Sequence, residues 1–244
     1  MSSRGALIMA RLIRGLCSNV FRYAVITGRA ERDPAADIQG AIASRLTKNR
    51  AAITDPERAG ALMLAIDKYS GAFSVRCALN LMALTFCRPN EILHAEWSEF
   101  DFEDRLLRIP GEKMKMSRDH LVPLSPQAIV VLETLRPYSG EGRYVFPGLK
   151  GNNMVMCSQT LILALRRMGF EKDEMCSHGF RAMASTLLNE QGYPPDVIER
   201  QLAHVQRNQV RAAYNRAEYL PERKKMMDEW ANYLDLLRER AKQA

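Results

Sequence analysis

The chain has 244 residues, 47% of them hydrophobic and 26% charged, with a formal net charge of +7. That length suits one large domain with appendages, and the basic surplus leans towards a polyanionic partner without establishing one. Five scattered cysteines (Cys17, Cys77, Cys87, Cys157, Cys176) with no Cys-x-x-Cys pair argue against a disulfide framework or a structural zinc site, and no apolar run reaches the length of about eighteen residues that spans a membrane.

Residues 9–28 carry Leu12, Ile13, Leu16, Val20, Phe21, Tyr23, Ala24 and Ile26 at helical spacing and stop at Gly28. Arg11, Arg14 and Arg22 decorate this basic helix, whose apolar side needs a cover. Asp33-Pro34-Ala35-Ala36-Asp37 reads as a linker turn. Asp55-Pro56 is a helix start, an N-cap carboxylate with Pro at the first helical position, and Ala59, Leu62, Met63 and Ile66 give that helix its apolar face. Residues 72–87 form a more uniformly apolar, central helix. Pro89 then forces Arg88 out of helical geometry, and a short helix follows from Asn90 to Glu96.

From Trp97 the period changes to two. Phe100-Asp101-Phe102, Leu106–Ile109 and His120–Leu124 read as three short strands, with a polar turn from Gly111 to Asp119 between the last two. Helices resume at 125–135, 158–168, 178–190, 195–203, 208–217 and 221–240. The pattern predicts a mainly α fold with a small antiparallel β-sheet (α+β).

Singly, the polar residues say little. In the helix after Ser177, Phe180, Met183, Ala184, Leu187 and Leu188 make a core stripe; His178 lies opposite it and Arg181 at its edge, so a solvated His and a surface Arg are the plain reading. Against it, a cation in a first helical turn opposes the macrodipole unless an anion also sits there. Tyr214 fits an apolar stripe with Val210, Ala213 and Ala217. His204 could be a helix cap, Lys115 a hairpin lysine, and His94 and His120 structural side chains. The chain contains no Gly-x-x-x-x-Gly-Lys-Ser/Thr loop and no Gly-x-Ser-x-Gly.

Their order says more. Arg88 with Glu91, Lys115 in a strand turn, His178-x-x-Arg181, Leu202-Ala203-His204 and then Tyr214 resemble the catalytic domain of the tyrosine recombinases, the phage integrase family. The wording at Phe86–Leu93, Val122–Ser125 and Arg211–Ala217 is similar to the P4-like prophage type, and the resemblance covers about residues 50–235. Residues 9–40 resemble the last helix and linker of the family's core-DNA-binding domain.

The resemblance implies a domain plan: 1–45 the end of a truncated core-binding domain, 46–220 the catalytic domain, and 221–244 a C-terminal helical tail. It implies a cytoplasmic, nucleoid-associated enzyme acting on double-stranded DNA at attachment sites. A homotetramer is implied, in which Pro221–Arg240 packs on a neighbour, with no cofactor, metal, membrane or small-molecule substrate. Tyr214 is implied as nucleophile, Arg88, Arg181 and His204 as donors to the phosphate, His178 as proton acceptor or as the group that orients the tyrosine, Lys115 as acid and Glu91 as the residue that orients Arg88 or a neighbouring His. The alternative is a truncated remnant that binds DNA without recombining it.

Overall fold

A computed structural model describes residues 7–42, 50–114, 118–148, 151–204 and 218–243. Lys115, Tyr214 and the helix expected at 208–217 lie outside the described residues. The chain divides into two compact units, one ending at Asn49 and the other beginning at Arg50.

In the first unit, α1 (Leu7–Ile26) ends with Gly28 at φ +69°, and Arg29 N donates to Ala24 O at 2.7 Å. Ile8, Leu12, Leu16, Val20 and Ile26 on α1 are exposed. The stretch read as a linker turn is a helical turn, α2 (Pro34–Asp37). Its helicity follows from Asp33, whose Oδ1 accepts from Ala35 N at 2.9 Å and caps the turn with Pro34 at its first position.

In the second unit, α3 (Pro56–Asp67) begins at the expected cap, with Asp55 Oδ1 accepting from Arg58 N at 2.8 Å. The central helix α4 (Phe73–Thr85) is buried on nearly every face and ends at Phe86, held left-handed at φ 40°. Such a conformation costs a non-glycine residue about 1 kcal/mol or more. The aromatic packing offsets it, because the fully buried Phe86 meets the Trp230 ring edge-on at 6.2 Å. Arg88 is extended, as its position before Pro89 requires, and precedes α5 (Pro89–Leu93).

Three strands, β1 (Phe100–Asp101), β2 (Leu106–Ile109) and β3 (His120–Pro123), form an antiparallel sheet in the order β1-β2-β3, with Leu107 opposite Val122 and Ile109 opposite His120. Helix α6 (Pro126–Ser139) runs past the expected end at Leu135. A second hairpin, β4 (Pro147–Gly148) with β5 (Gly151–Val155), was not expected, because its Gly- and Asn-rich strands lack alternating apolar residues. Then come α7 (Ser158–Arg167), α8 (Gly179–Glu190), α9 (Pro195–Gln201) and α10 (Leu220–Gln243). The expected mainly helical fold with a small antiparallel sheet is the observed one.

Helix α10, set apart as a tail by the domain plan, packs along α3 within its own unit. Met226, Met227, Trp230, Ala231, Leu234 and Leu237 are buried, and Trp230 Nε1 donates to Ala83 O at 2.9 Å. Gly60 makes the approach possible, since a Cβ there would collide with the Leu237 carbonyl. Burying Trp230 outweighs the rim ion pair between Arg238 and Asp67 at 3.1 Å: truncating a buried Trp costs about 3–5 kcal/mol, whereas a partly exposed pair contributes about 1 kcal/mol or less.

His120 is structural, as expected. It is buried, and Nε2 donates to Gln201 O at 3.1 Å. Burial, reinforced by the nearby Arg223 charge, pushes its pKa down to about 3. The unfolded state takes up this proton near pH 6.5 and the folded state resists it until about pH 3, so stability falls as pH drops through that window. Between pH 7 and about pH 5.5 the loss is on the order of 1 kcal/mol. Urea unfolding at pH 7 and at about pH 5.5 checks this. The difference should shrink by about that amount in His120→Gln, and an unchanged difference contradicts the assignment.

Candidate active site

Two arginines ninety-odd positions apart meet at one turn, and each is aimed by backbone. Arg181 enters the first turn of α8. The sequence pattern put it at the edge of a solvated face, but only 9% of the residue is exposed. Its Nη1 donates to Phe86 O at 2.9 Å, and its Nη2 donates to Leu202 O at 2.7 Å and faces His204 Nε2 at 3.1 Å. The left-handed turn at Phe86 points one carbonyl inward; the turn after α9 points the other. Gly179 lets α8 begin this close, since a Cβ there would stand 2.6 Å from Ala51 O.

Arg88 reaches the same turn from the other side. Its Nη2 donates to Ala203 O at 3.2 Å, across 115 positions, and its Nη1 to Glu91 Oε1 at 2.6 Å. Glu91 also accepts from Arg88 N at 2.8 Å with its second oxygen. One carboxylate therefore closes the start of α5 and sets the direction of the guanidinium. Of the two partners expected for Glu91, Arg88 is the one it meets.

His204 completes the turn. Its backbone N donates to Glu199 O at 3.1 Å, helped by Ala203 at φ 48°, and its Nδ1 lies 2.8 Å from Glu199 Oε2. The tautomer that satisfies both neighbours has Nδ1–H donating to Glu199 and the Nε2 lone pair facing Arg181.

Charge is unevenly matched in this cluster: Glu91 pairs with Arg88, while Arg181 is the more deeply buried cation. Burial lowers the Arg181 pKa, and the Arg88 charge lowers it further. Arg181 has carbonyls and an imidazole as hydrogen-bond partners, and no carboxylate pairs with it directly among the described residues. A desolvated cation without a counter-ion is costly, and a planar two-pronged donor suits the oxygens of a phosphate. Cys87, beside them, is inert: burial pushes its thiol up to about 12.

His178 precedes α8 and is half-buried. Burial lowers its pKa, followed by the charges of Arg50, Arg181 and Arg88, while Glu91 acts the other way. Its ring is therefore neutral at neutral pH and able to accept a proton. Arg50 is a neighbour that the motif reading missed, since it lies in an irregular stretch outside any periodic pattern.

Lys115 and Tyr214 lie outside the described residues; contacts are described only on either side of 115–117. Lys113 Nζ donates to Glu96 Oε1 at 2.8 Å, and Asp119 Oδ1 accepts from Gly111 N at 2.7 Å. Arg88, Glu91, Arg181 and His204 are brought together, with His178 in their field. The carbonyls of Phe86, Leu202 and Ala203 were missed; a main-chain acceptor has no sequence signal.

Residues 53–220 match the model of the phage integrase family, and residues 1–41 that of the phage integrase central domain. Prophage integrase IntA of Escherichia coli K12 is 42% identical over 232 residues, covering 95% of this chain and 56% of that protein. The integrase of Enterobacteria phage P4 is 39% identical over 245 residues, covering 94% of this chain and 56% of its own length. The chain thus spans little more than half the length of these relatives. Among solved structures, a lambda integrase dimer bound to a COC′ core site gives a TM-score of 0.64 at 20% identity, covering 85% of this chain and 76% of that one. A lambda integrase tetramer bound to a Holliday junction gives 0.65 at 21% identity, covering 88% and 61%. These two likenesses establish the fold.

Proposed function

The chain belongs to the phage integrase family, and from that premise we propose that it cleaves and rejoins double-stranded DNA as a site-specific tyrosine recombinase. Arg88 and Arg181 converging on the 202–204 turn is the observation that carries the proposal. Two aimed guanidinium groups, Arg88 held by Glu91 and Arg181 without a carboxylate partner among the described residues, form a receptor for one phosphodiester.

The reaction assigns each residue a task. The Tyr214 oxygen attacks phosphorus, forming a 3′-phosphotyrosyl bond as the bond to the 5′-oxygen breaks. Its proton passes to neutral His178, and Lys115 protonates the departing 5′-oxygen. A phenol with pKa near 10 is about a thousandfold short of phenolate at pH 7, so the gain must come from stabilising charge on the phosphate. Arg88 and Arg181 supply it at about 10²–10³ each, if they behave like single oxyanion donors. His204, held at Nδ1 by Glu199 and standing beside Arg181, is the third side chain at the phosphate. The bond energy is kept in the phosphotyrosine, so a 5′-hydroxyl reverses the step without ATP.

By analogy with the lambda integrase tetramer on a Holliday junction, the working assembly is a homotetramer on attachment-site DNA. The charge of +7 supports binding to the backbone. We place the enzyme in the cytoplasm, at the nucleoid; no helix among the described residues is long and apolar enough to cross a membrane.

The test is a suicide DNA substrate nicked beside the scissile phosphate. A recombinase yields a denaturant-resistant adduct; a remnant that only binds yields shifted but free DNA. The pH dependence of capture is a further check. Because the His178 pKa is lowered, the neutral ring persists to lower pH, and the acid limb of the rate profile should fall below the ordinary histidine value of about 6.5. An acid limb at or above that value contradicts His178 as proton acceptor.

A further inference from the structure

Arg223, in the first turn of α10, has none of its side chain exposed. Its Nε and Nη2 both donate to Gln201 Oε1, at 3.0 and 2.7 Å. Nη1 donates to Glu218 O at 3.3 Å, and Nη2 also to Leu121 O. The Glu218 carboxylate stands off at 3.9 Å. Burial pushes the Arg223 pKa down to about 10, which leaves it charged at neutral pH. Holding a buried cation mostly on neutral acceptors costs several kcal/mol, and an apolar residue of similar volume often serves adhesion as well or better. What a guanidinium adds is direction.

The direction is imposed on Gln201. With Oε1 taken by Arg223, the amide turns Nε2 towards Thr85 O at 3.3 Å, while Gln201 O accepts from His120. Thr85 and Gln201 each sit one position before a carbonyl that holds Arg181, those of Phe86 and Leu202. The Gln201–Thr85 bond thereby ties together the two strands of chain that aim the arginine.

We propose that Arg223 is a positioning residue for the phosphate pocket: by orienting the Gln201 carboxamide it sets the spacing of the two carbonyls that aim Arg181. The inference rests on the reading that Arg181 holds the scissile phosphate. Its energetic scale is that of misalignment, where about 1 Å at a reacting group can cost about a hundredfold.

The experiment measures covalent capture on nicked attachment-site DNA for Arg223→Met, in the native background and in Arg181→Lys, alongside DNA affinity and melting temperature. Arg223→Met should slow capture by about ten- to a hundredfold with affinity within about threefold. In the Arg181→Lys background it should cost less than about threefold more, because the group it positions is already displaced. Gln201→Glu keeps an acceptor for Arg223 and removes the donor to Thr85; it should reproduce the slow capture, and it decides the matter if Arg223→Met does not fold. Capture within threefold of the native rate in both variants overturns the inference, as does an equal loss from Arg223→Met in both backgrounds, which marks a general effect on the fold. A native chain that makes no Tyr214-dependent adduct overturns the recombinase reading and this inference with it.

Discussion

Tyr214→Phe should abolish covalent capture of nicked DNA while DNA affinity stays within about threefold of the native chain. The substitution removes one oxygen atom, and that oxygen is the only atom of the side chain able to form the bond to phosphorus. No partial activity is expected, because the phenylalanine side chain carries no nucleophile. Binding should survive, since affinity for DNA comes mostly from cations on the phosphate backbone, here on a chain of net charge +7. Denaturing electrophoresis of the incubated mixture reads the adduct and a mobility shift reads the binding. An adduct with the Phe variant means that another residue attacks.

The second large effect belongs to Arg181. Arg181→Ala should slow capture by about 10² or more, the loss expected for one oxyanion donor. It carries a cost in stability as well, because the carbonyls of Phe86 and Leu202 lose their buried donor; each unsatisfied group costs about 1–3 kcal/mol. Arg181→Lys separates the two effects. It keeps the charge and one donor, so it should fold better than the Ala variant and yet still lose rate, because a point charge does not replace a planar two-pronged donor. Single-turnover capture rates and melting temperatures, measured together, check this. A rate loss below about threefold in Arg181→Ala counts against Arg181 as a phosphate ligand.

The legible parts of this fold are those written in local chemistry. Asp55-Pro56 marked a helix start, and Pro89 marked Arg88 as extended; both hold. The three strands after Trp97 followed from alternation. The order of Arg88, Glu91, His178, Arg181 and His204 pointed to residues that the fold brings near one another. The environment of those residues was much less legible. Arg181 looked peripheral on a helical wheel, because the stripe describes its own helix and says nothing of the carbonyls arriving from residues 86 and 202. Asp33–Asp37 looked like a turn because the four-residue helix within it, Pro34–Asp37, is too short to show a period. Arg223 left a trace that went unread: it shares a helical face with Met226, Met227 and Trp230, and a charge on a core stripe needs buried partners.

The central claim is that one phosphodiester lies between Arg88 and Arg181, with the residue 214 phenol bonded to its phosphorus. A crystal structure of the covalent complex on nicked DNA tests it most directly. The account predicts a phosphotyrosine at 214, with its non-bridging oxygens within hydrogen-bond distance of both guanidinium groups and of His204. A phosphate linked to any other residue, or one reached by only one of the two arginines, contradicts it.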